Sequence, residues 1–178
     1  MDVRQLSAND VALVRGIDRA EHVDVQYAVV DGRLVQVPVR MADIPSWDAD
    51  GRGEHSVEHH VHTLAERVAE GCTLLGAFDD DAVLGLAAVH PTFEPPMAWL
   101  AWLHVGRPHR RRGVATALWA ESAALAIAAG ATSMYVSATS TGSAVGFYLS
   151  RGAELARPPH PELFALEPVD VHLVARLG

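Results

Sequence analysis

The stretch "PHRRRGVATAL", residues 108–118, sets three consecutive arginines directly before a glycine and an alanine-rich segment. Upstream, "MAWLAWLHV" (97–105) reads as a strand. Downstream, "GVATALWAESAALAIAAG" (113–130) has strong helix propensity and closes on Gly130. The arginines therefore occupy the turn between a strand and the start of a long helix. The first backbone N–H groups of a helix have no intrahelical partners, and the macrodipole adds partial positive charge there. A glycine at that point lets an anion approach the backbone, and guanidinium forks match phosphate oxygens. Strand, basic turn, glycine and helix together make a pyrophosphate cradle. It is not a Walker loop, because G-x-x-x-x-G-K-S/T needs a lysine and all 14 basic residues are arginine. Nor does it carry a G-x-G-x-x-G dinucleotide fingerprint.

Outward from that turn the chain reads as one domain. At 178 residues it is long enough to bury a substantial core without staples, and 49% apolar with 20% charged residues is an ordinary globular balance. The net charge of −8 argues against nucleic-acid and anionic-membrane partners and leans towards a cationic one. Cys72 is the only cysteine, which rules out a disulfide within the chain and fits a reducing compartment. "MDVRQLSAND" has no apolar signal core and no apolar run reaches spanning length, so the expected location is the cytoplasm.

"VRQL" (3–6) reads as a strand. "SANDVALVRGIDRAEH" (7–22) reads as a helix capped by Ser7 and Asp10, with Val11, Val14 and Ile17 on its apolar stripe. "VDVQYAVVDGRLVQVPV" (23–39) alternates around Asp31-Gly32, a hairpin signal. Residues 41–55 form a loop, and "SVEHHVHTLAERVAEG" (56–71) an amphipathic helix with Val57, Val61, Leu64 and Val68 on one face. "TLLGAF", "AVLGLAAVH" and "MAWLAWLHV" are strands before the arginine turn. After the long helix come the charge-free strand "SMYVSAT" (133–139), a short helix "SAVGFYLSRG" (143–152), and strands "AELAR" and "VDVHLVARL" separated by a Pro-rich loop at 158–168.

Arg110-Arg111-Arg112-Gly113-Val114-Ala115 matches the pattern Gln/Arg-x-x-Gly-x-Gly/Ala, and the strand "WLHV" ends eight residues before Gly113. "GSAVGFYLSRGAEL" matches A-x-x-F-Y-x-x-x-G through Ala144, Phe147, Tyr148 and Gly152. In these segments the sequence resembles the GNAT superfamily of acyl-CoA-dependent N-acetyltransferases, over roughly residues 73–157, with the element order extending the likeness to both termini. The resemblance implies an α/β (α+β) fold: a single domain with a mixed, mostly antiparallel central sheet flanked by helices, and an inserted N-terminal hairpin. Residues 1–72, with the hairpin near 23–39, would shape the acceptor pocket. Residues 73–157 would bind acetyl-CoA, and 158–178 would supply a C-terminal loop and strand.

The same resemblance implies the site. Arg110, Arg111, Arg112, Gly113, Val114, Ala115 and Thr116 would hold the coenzyme A diphosphate. The main chain of Leu103, His104 and Val105, near a family bulge, would bind the pantetheine arm and polarise the thioester carbonyl. Thr141, Ser143, Ala144 and Phe147 would complete the cofactor wall. Thr141 stands where the family often has Asn: it keeps a helix cap but loses an amide contact. Tyr148 would be the general acid that protonates the departing thiolate.

No base is evident. Leu103, Ala101 and Trp99 share the parity of Val105, and family bases on this strand often fall where Trp99 and Ala101 stand. Neither accepts a proton. His104 has the opposite parity, which leaves His90, Glu94 or a water chain. For the acceptor, Trp47 among Asp18, Glu21, Asp24, Asp43, Asp48 and Asp50, together with Glu21 and Trp99 themselves, suits a cationic small-molecule or peptide amine. "HSVEHHVH" (55–62) sets His55, Glu58, His59 and His62 on one helix face. One helix face rarely converges on one ion, so this is expected to be a solvated face or pocket rim, and no metal is assigned. The hairpin and the last strand are the candidate edges for a homodimer. The function expected is acetyl transfer from acetyl-CoA to a primary amine, the alternative being a catalytically silent acyl-CoA-binding or sensing domain.

Overall fold

The computed structural model describes residues 1–51 and 53–178. Strand β1 (Asp2–Gln5) leads to a helical segment at Ala8–Gly16. Its start follows the sequence: Ser7 accepts from the Asn9 N–H, and the Asp10 carboxylate accepts from the Ser7 N–H at 2.8 Å. The segment winds as 3-10 helix rather than α-helix: its buried Val11 and Val14, with the buried C-cap Ile17 after them, recur every third position, the 3-10 period. Strand β2 (Glu21–His22) precedes the hairpin of β3 (Gln26–Val30) and β4 (Arg33–Val37). Asp31 and Gly32 turn it with φ of 49° and 69°, as a two-residue hairpin loop requires. Then follow β5 (Asp43–Ile44), α1 (Val57–Ala69), β6 (Thr73–Asp79), β7 (Ala82–Glu94) and β8 (Met97–Val105). A short 3-10 turn at Arg107–His109 leads to α2 (Val114–Ala128), β9 (Ser133–Ala138), α3 (Gly142–Ser150), β10 (Glu154–Leu155), α4 (Pro161–Leu166) and β11 (Val171–Arg176).

Seven strands form one sheet in the order β1-β6-β7-β8-β9-β11-β10, antiparallel except for the β8–β9 pair. The mixed, mostly antiparallel sheet flanked by helices and the inserted hairpin are as the sequence implies. Helices α2 and α3 cover one face through Val114, Leu118, Trp119 and Val145, which meet Leu75, Leu100, Val136 and Leu173. On the other face α1, the first 3-10 helix and the loop after β5 pack Leu64, Val14 and Trp47 onto Leu74, Leu86 and Trp102. Cys72 lies in this second cluster, where burial pushes its thiol up to about 12. No helix of the described residues is long and apolar enough to cross a membrane.

One further element differs from the sequence reading. The Pro-rich segment contains α4, started by the His160 ring nitrogen that accepts from the Leu163 N–H and by Pro161 in the first turn. Proline there is a helix-start signal. Leu163 of this helix packs on Trp99 and Tyr135. The last strand, β11, is paired along its length with β9 on one side, and on the other β10 pairs with Leu173 and Val174.

Strand β8 departs from strict alternation. Trp102 faces Ala88 of β7 while Leu100 faces Val89, so Ala101 is an extra, bulged residue. The parity inferred along the strand therefore breaks at Ala101. Leu103 and Val105 lie on the α2 face with Leu100 and Ala98, whereas Trp99 lies on the opposite face, near Leu163.

Leu118 has 0% of its surface exposed at the centre of the α2 face. Leu118→Ala should lower unfolding stability by about 2–5 kcal/mol in urea titrations, the range for a buried leucine that leaves a cavity.

Candidate active site

Strands β8 and β9 pair only from Met97–Leu100 to Ser133–Val136. Past Leu100 they part, and the edge of residues 101–105 that would face β9 has no strand partner. The bulge at Ala101 sits where they separate, consistent with its effect on local twist. A cavity of about 560 Å³ opens in the gap. It is walled by Leu100–Val105 on one side and by Ser137–Thr139 and the start of α3 on the other.

One end of the cavity is the start of α2. Gly113 caps the helix in the left-handed conformation (φ 84°), and no side chain caps the first turn. Nothing lies within 4 Å of where a Cβ would stand on Gly113, so the backbone there is open to a ligand. Arg111, also left-handed (φ 62°), lines the cavity with Gly113, Val114, Ala115 and Thr116. Arg112 is exposed on the same turn and Arg111 is exposed at the rim.

Arg110 behaves differently. Its guanidinium donates to the carbonyls of Val105 (3.1 Å), Ala20 (3.1 Å) and Arg19 (2.8 Å), and lies 3.7 Å from Glu21. It ties the end of β8 to the N-terminal segment. Glu21 lines the cavity but is engaged by this arginine.

Tyr148 of α3 lines the cavity, 7% exposed, with its ring near those of Trp119 and Phe147. Among the described residues its hydroxyl has no hydrogen-bond partner. Burial first, then the charges of Glu167 and Asp170, hold the phenol well above its usual range. The packing that buries it follows from sequence: Val145 and Tyr148, three apart, form the inner stripe of α3, and Thr141 caps that helix by accepting from the Ala144 N–H at 3.3 Å. Thr141, Ser143, Ala144 and Phe147 all line the cavity.

Other expected residues lie elsewhere. His90 contacts the Glu70 carbonyl through Nε2 at 3.0 Å, and Glu94 pairs with His160 at 3.1 Å; neither reaches the cavity. Trp99 is buried against Phe93 and under Arg67. Trp47 is buried behind the wall, stacked on His60, Trp102 and His104. In the histidine-rich helix, Glu58 pairs with Arg15 at 2.6 Å and His62 with Glu66 at 3.1 Å.

The structure also brings in residues that the sequence did not single out: Arg19, Ile44, Ser137, Glu167 and Asp170. Ser137 was legible as the end of a buried strand. Glu167 falls at the end of the Pro-rich segment and Asp170 at the start of the stretch that reads as the last strand, and no local motif marks either.

A family model described as "Acetyltransferase (GNAT) family" matches residues 40–153. The chain belongs to the GNAT acetyltransferase family. Solved structures share this GNAT fold over nearly the whole chain. Nourseothricin acetyltransferase is 16% identical with a TM-score of 0.72, covering 99% of this chain and 98% of its own. A Bacillus anthracis protein described as a streptothricin acetyltransferase, solved with acetyl coenzyme A, is 15% identical with a TM-score of 0.66, covering 99% and 97%. PaiA N-acetyltransferase from Thermoplasma acidophilum, solved with coenzyme A, is 13% identical with a TM-score of 0.63, covering 98% of each. At these identities the likeness speaks for fold alone. No curated protein matches the sequence.

Two outcomes follow for this GNAT chain. Arg110→Lys, which replaces a three-carbonyl fork by a point charge, should cost about 1–3 kcal/mol in urea unfolding, whereas Arg112→Ala should cost under about 0.5 kcal/mol. His60 and His104 are pushed down to about 4 and about 3, by burial first and then by neighbouring histidine and arginine charges. Both are therefore held neutral when folded and charge readily near 6.5 when unfolded, so their contribution is full above pH 6.5 and is lost as pH falls towards 4. Urea titrations at about pH 7.5 and about pH 5 should show this loss, and His104→Gln should reduce it.

Proposed function

We propose that this GNAT protein transfers an acetyl group from acetyl-CoA to a primary amine directly, within a ternary complex. The observation that carries this is one continuous cavity joining an open, glycine-led helix start to a buried phenol across a parted sheet. The coenzyme A and acetyl-CoA complexes of the structural relatives support the same reading. Acetyl-CoA supplies the thioester, and the chain supplies binding, orientation and proton movement.

The N–H groups at Gly113, Val114, Ala115 and Thr116 are assigned to the diphosphate, with Arg111 and Arg112 adding positive charge. Arg110 is assigned to positioning that turn. The partnerless main-chain edge of Leu103, His104 and Val105 takes the amide-bearing arm and the thioester carbonyl, as a strand edge takes an extended peptide. Thr141, Ser143, Ala144 and Phe147 close the opposite wall. Residues 73–157 then form the donor-binding core, while 1–72, through Glu21 and Ile44, and 158–178 shape the acceptor side.

Tyr148 is assigned to protonating the sulfur as it leaves. Its raised proton affinity keeps it protonated at working pH. The same dry surroundings raise the proton affinity of a departing thiolate, so the two remain matched. The surplus proton of the attacking nitrogen then restores the phenol.

Tyr148→Phe should lower kcat by about 100-fold or more across a panel of primary amines, with the Kd for coenzyme A by calorimetry changing less than about twofold. Unchanged turnover would remove the acid role. Tight coenzyme A binding with no thiol release on any amine would instead favour a silent acyl-CoA-binding domain.

A further inference from the structure

Glu167 and Asp170 both line the cavity, as do Tyr148 and Ser137. They belong to one tight turn after α4. The Glu167 carbonyl accepts from the Asp170 N–H at 3.1 Å and meets Nε2 of the buried His172 at 3.0 Å. Ser137, whose hydroxyl is 3.3 Å from the other ring nitrogen of His172, also bonds the Glu167 carboxylate, which lowers that acid's proton affinity without outweighing its burial. The turn is thus pinned to β9 and β11, and the two carboxyl groups are held three residues apart on the cavity wall.

Among the described residues, neither carboxylate has an ion-pair partner. The groups that face them are Tyr148 from α3, Tyr135 and Ser137 from β9, His172 from β11 and, at longer range, Arg67 from α1. Arg67 is engaged with Glu70 and lies over the Trp99 ring. His172 is itself shifted towards neutrality by burial. Two partly buried acids without a cation, beside a phenol 7% exposed with no hydrogen-bond partner, constitute an unbalanced negative site. Arg19, Arg110 and Arg111, from other elements, line the same cavity. The lining thus carries arginines on some elements and unpaired carboxyl groups on another.

We propose that Glu167 and Asp170 bind the acceptor's ammonium group and take its proton before attack, which supplies the base that neither β8 nor His90 nor Glu94 provides. This rests on the acetyl-transfer reading above. In the step, one N–H bond of the ammonium breaks and one carboxyl O–H bond forms. The electron pair stays on nitrogen as the lone pair that attacks, the carboxyl proton passes to solvent, and nothing is oxidised or reduced. Burial, and then the charge of Glu167, push Asp170 up to about 7; burial is also the main cause that raises Glu167. Above that value Asp170 is ionised and able to accept a proton. An arriving cation relieves the repulsion between the two carboxylates and favours their charged form.

Carboxyl-carbon NMR of the whole protein, labelled at Asp and Glu and titrated with and without propylamine hydrochloride against matched sodium chloride, tests this without a known acceptor. Expected is one carboxyl titrating near neutrality, missing in Asp170→Asn, lowered in Glu167→Gln, and moved down by about one pH unit or more by propylammonium. The proposal is overturned if both carboxyls titrate in the ordinary acid range, or if the near-neutral one ignores propylammonium. Coenzyme A calorimetry on the same samples separates the two claims. A propylammonium response without coenzyme A binding sinks acetyl transfer and keeps the amine site, and the reverse sinks the amine site alone.

Discussion

Between Leu100 and Val105, strand β8 keeps its antiparallel partner and loses its parallel one. A sheet that stayed paired there would have no opening and no free main-chain edge. The extra residue at Ala101 falls where the pairing fails, and β9 ends at Ala138. Everything proposed for the site depends on this gap. It brings α2 and α3 from one face of the sheet, and the turn after α4 from the other, around one shared space. Strand β8 is held open at its far end by Arg110, which caps the Val105 carbonyl and binds the chain at Arg19 and Ala20.

That arginine shows why charge runs are poorly resolved by sequence. Arg110, Arg111 and Arg112 are chemically identical and adjacent, yet one is spent on backbone carbonyls while the next two remain exposed. The distinction comes from the left-handed conformation at Arg111 and Gly113, which sends successive side chains in different directions. The histidines divide in a similar way. His60 and His104 are enclosed with Trp47 and Trp102 and held neutral, while His59 and His62 of the same helical run stay at its outer side. With this aromatic wall neutral, the arginines of the turn and the carboxyl groups after α4 set the charge of the cavity lining.

The sequence by itself determined the elements that local chemistry controls. The Ser7 and Thr141 caps, the Asp31-Gly32 hairpin, the left-handed Gly113 before a strong helix and the buried stripe of α3 each depend on residues within one or two turns of one another. Patterns of that range are enough to specify a GNAT fold and to mark where its diphosphate cradle should lie. Tertiary structure alone decided the rest. A bulge reverses the facing of Trp99 relative to Val105, because a strand's partner, and not its own residues, reveals the extra position. Glu167 and Asp170 reach Tyr148 only because α4 packs Leu163 against Trp99 and Tyr135 and so carries the following turn onto the open edge of β9. Nothing in the local spacing of those two acids encodes that approach; it is set by contacts between segments distant in the chain, Leu163 with Tyr135 and Trp99.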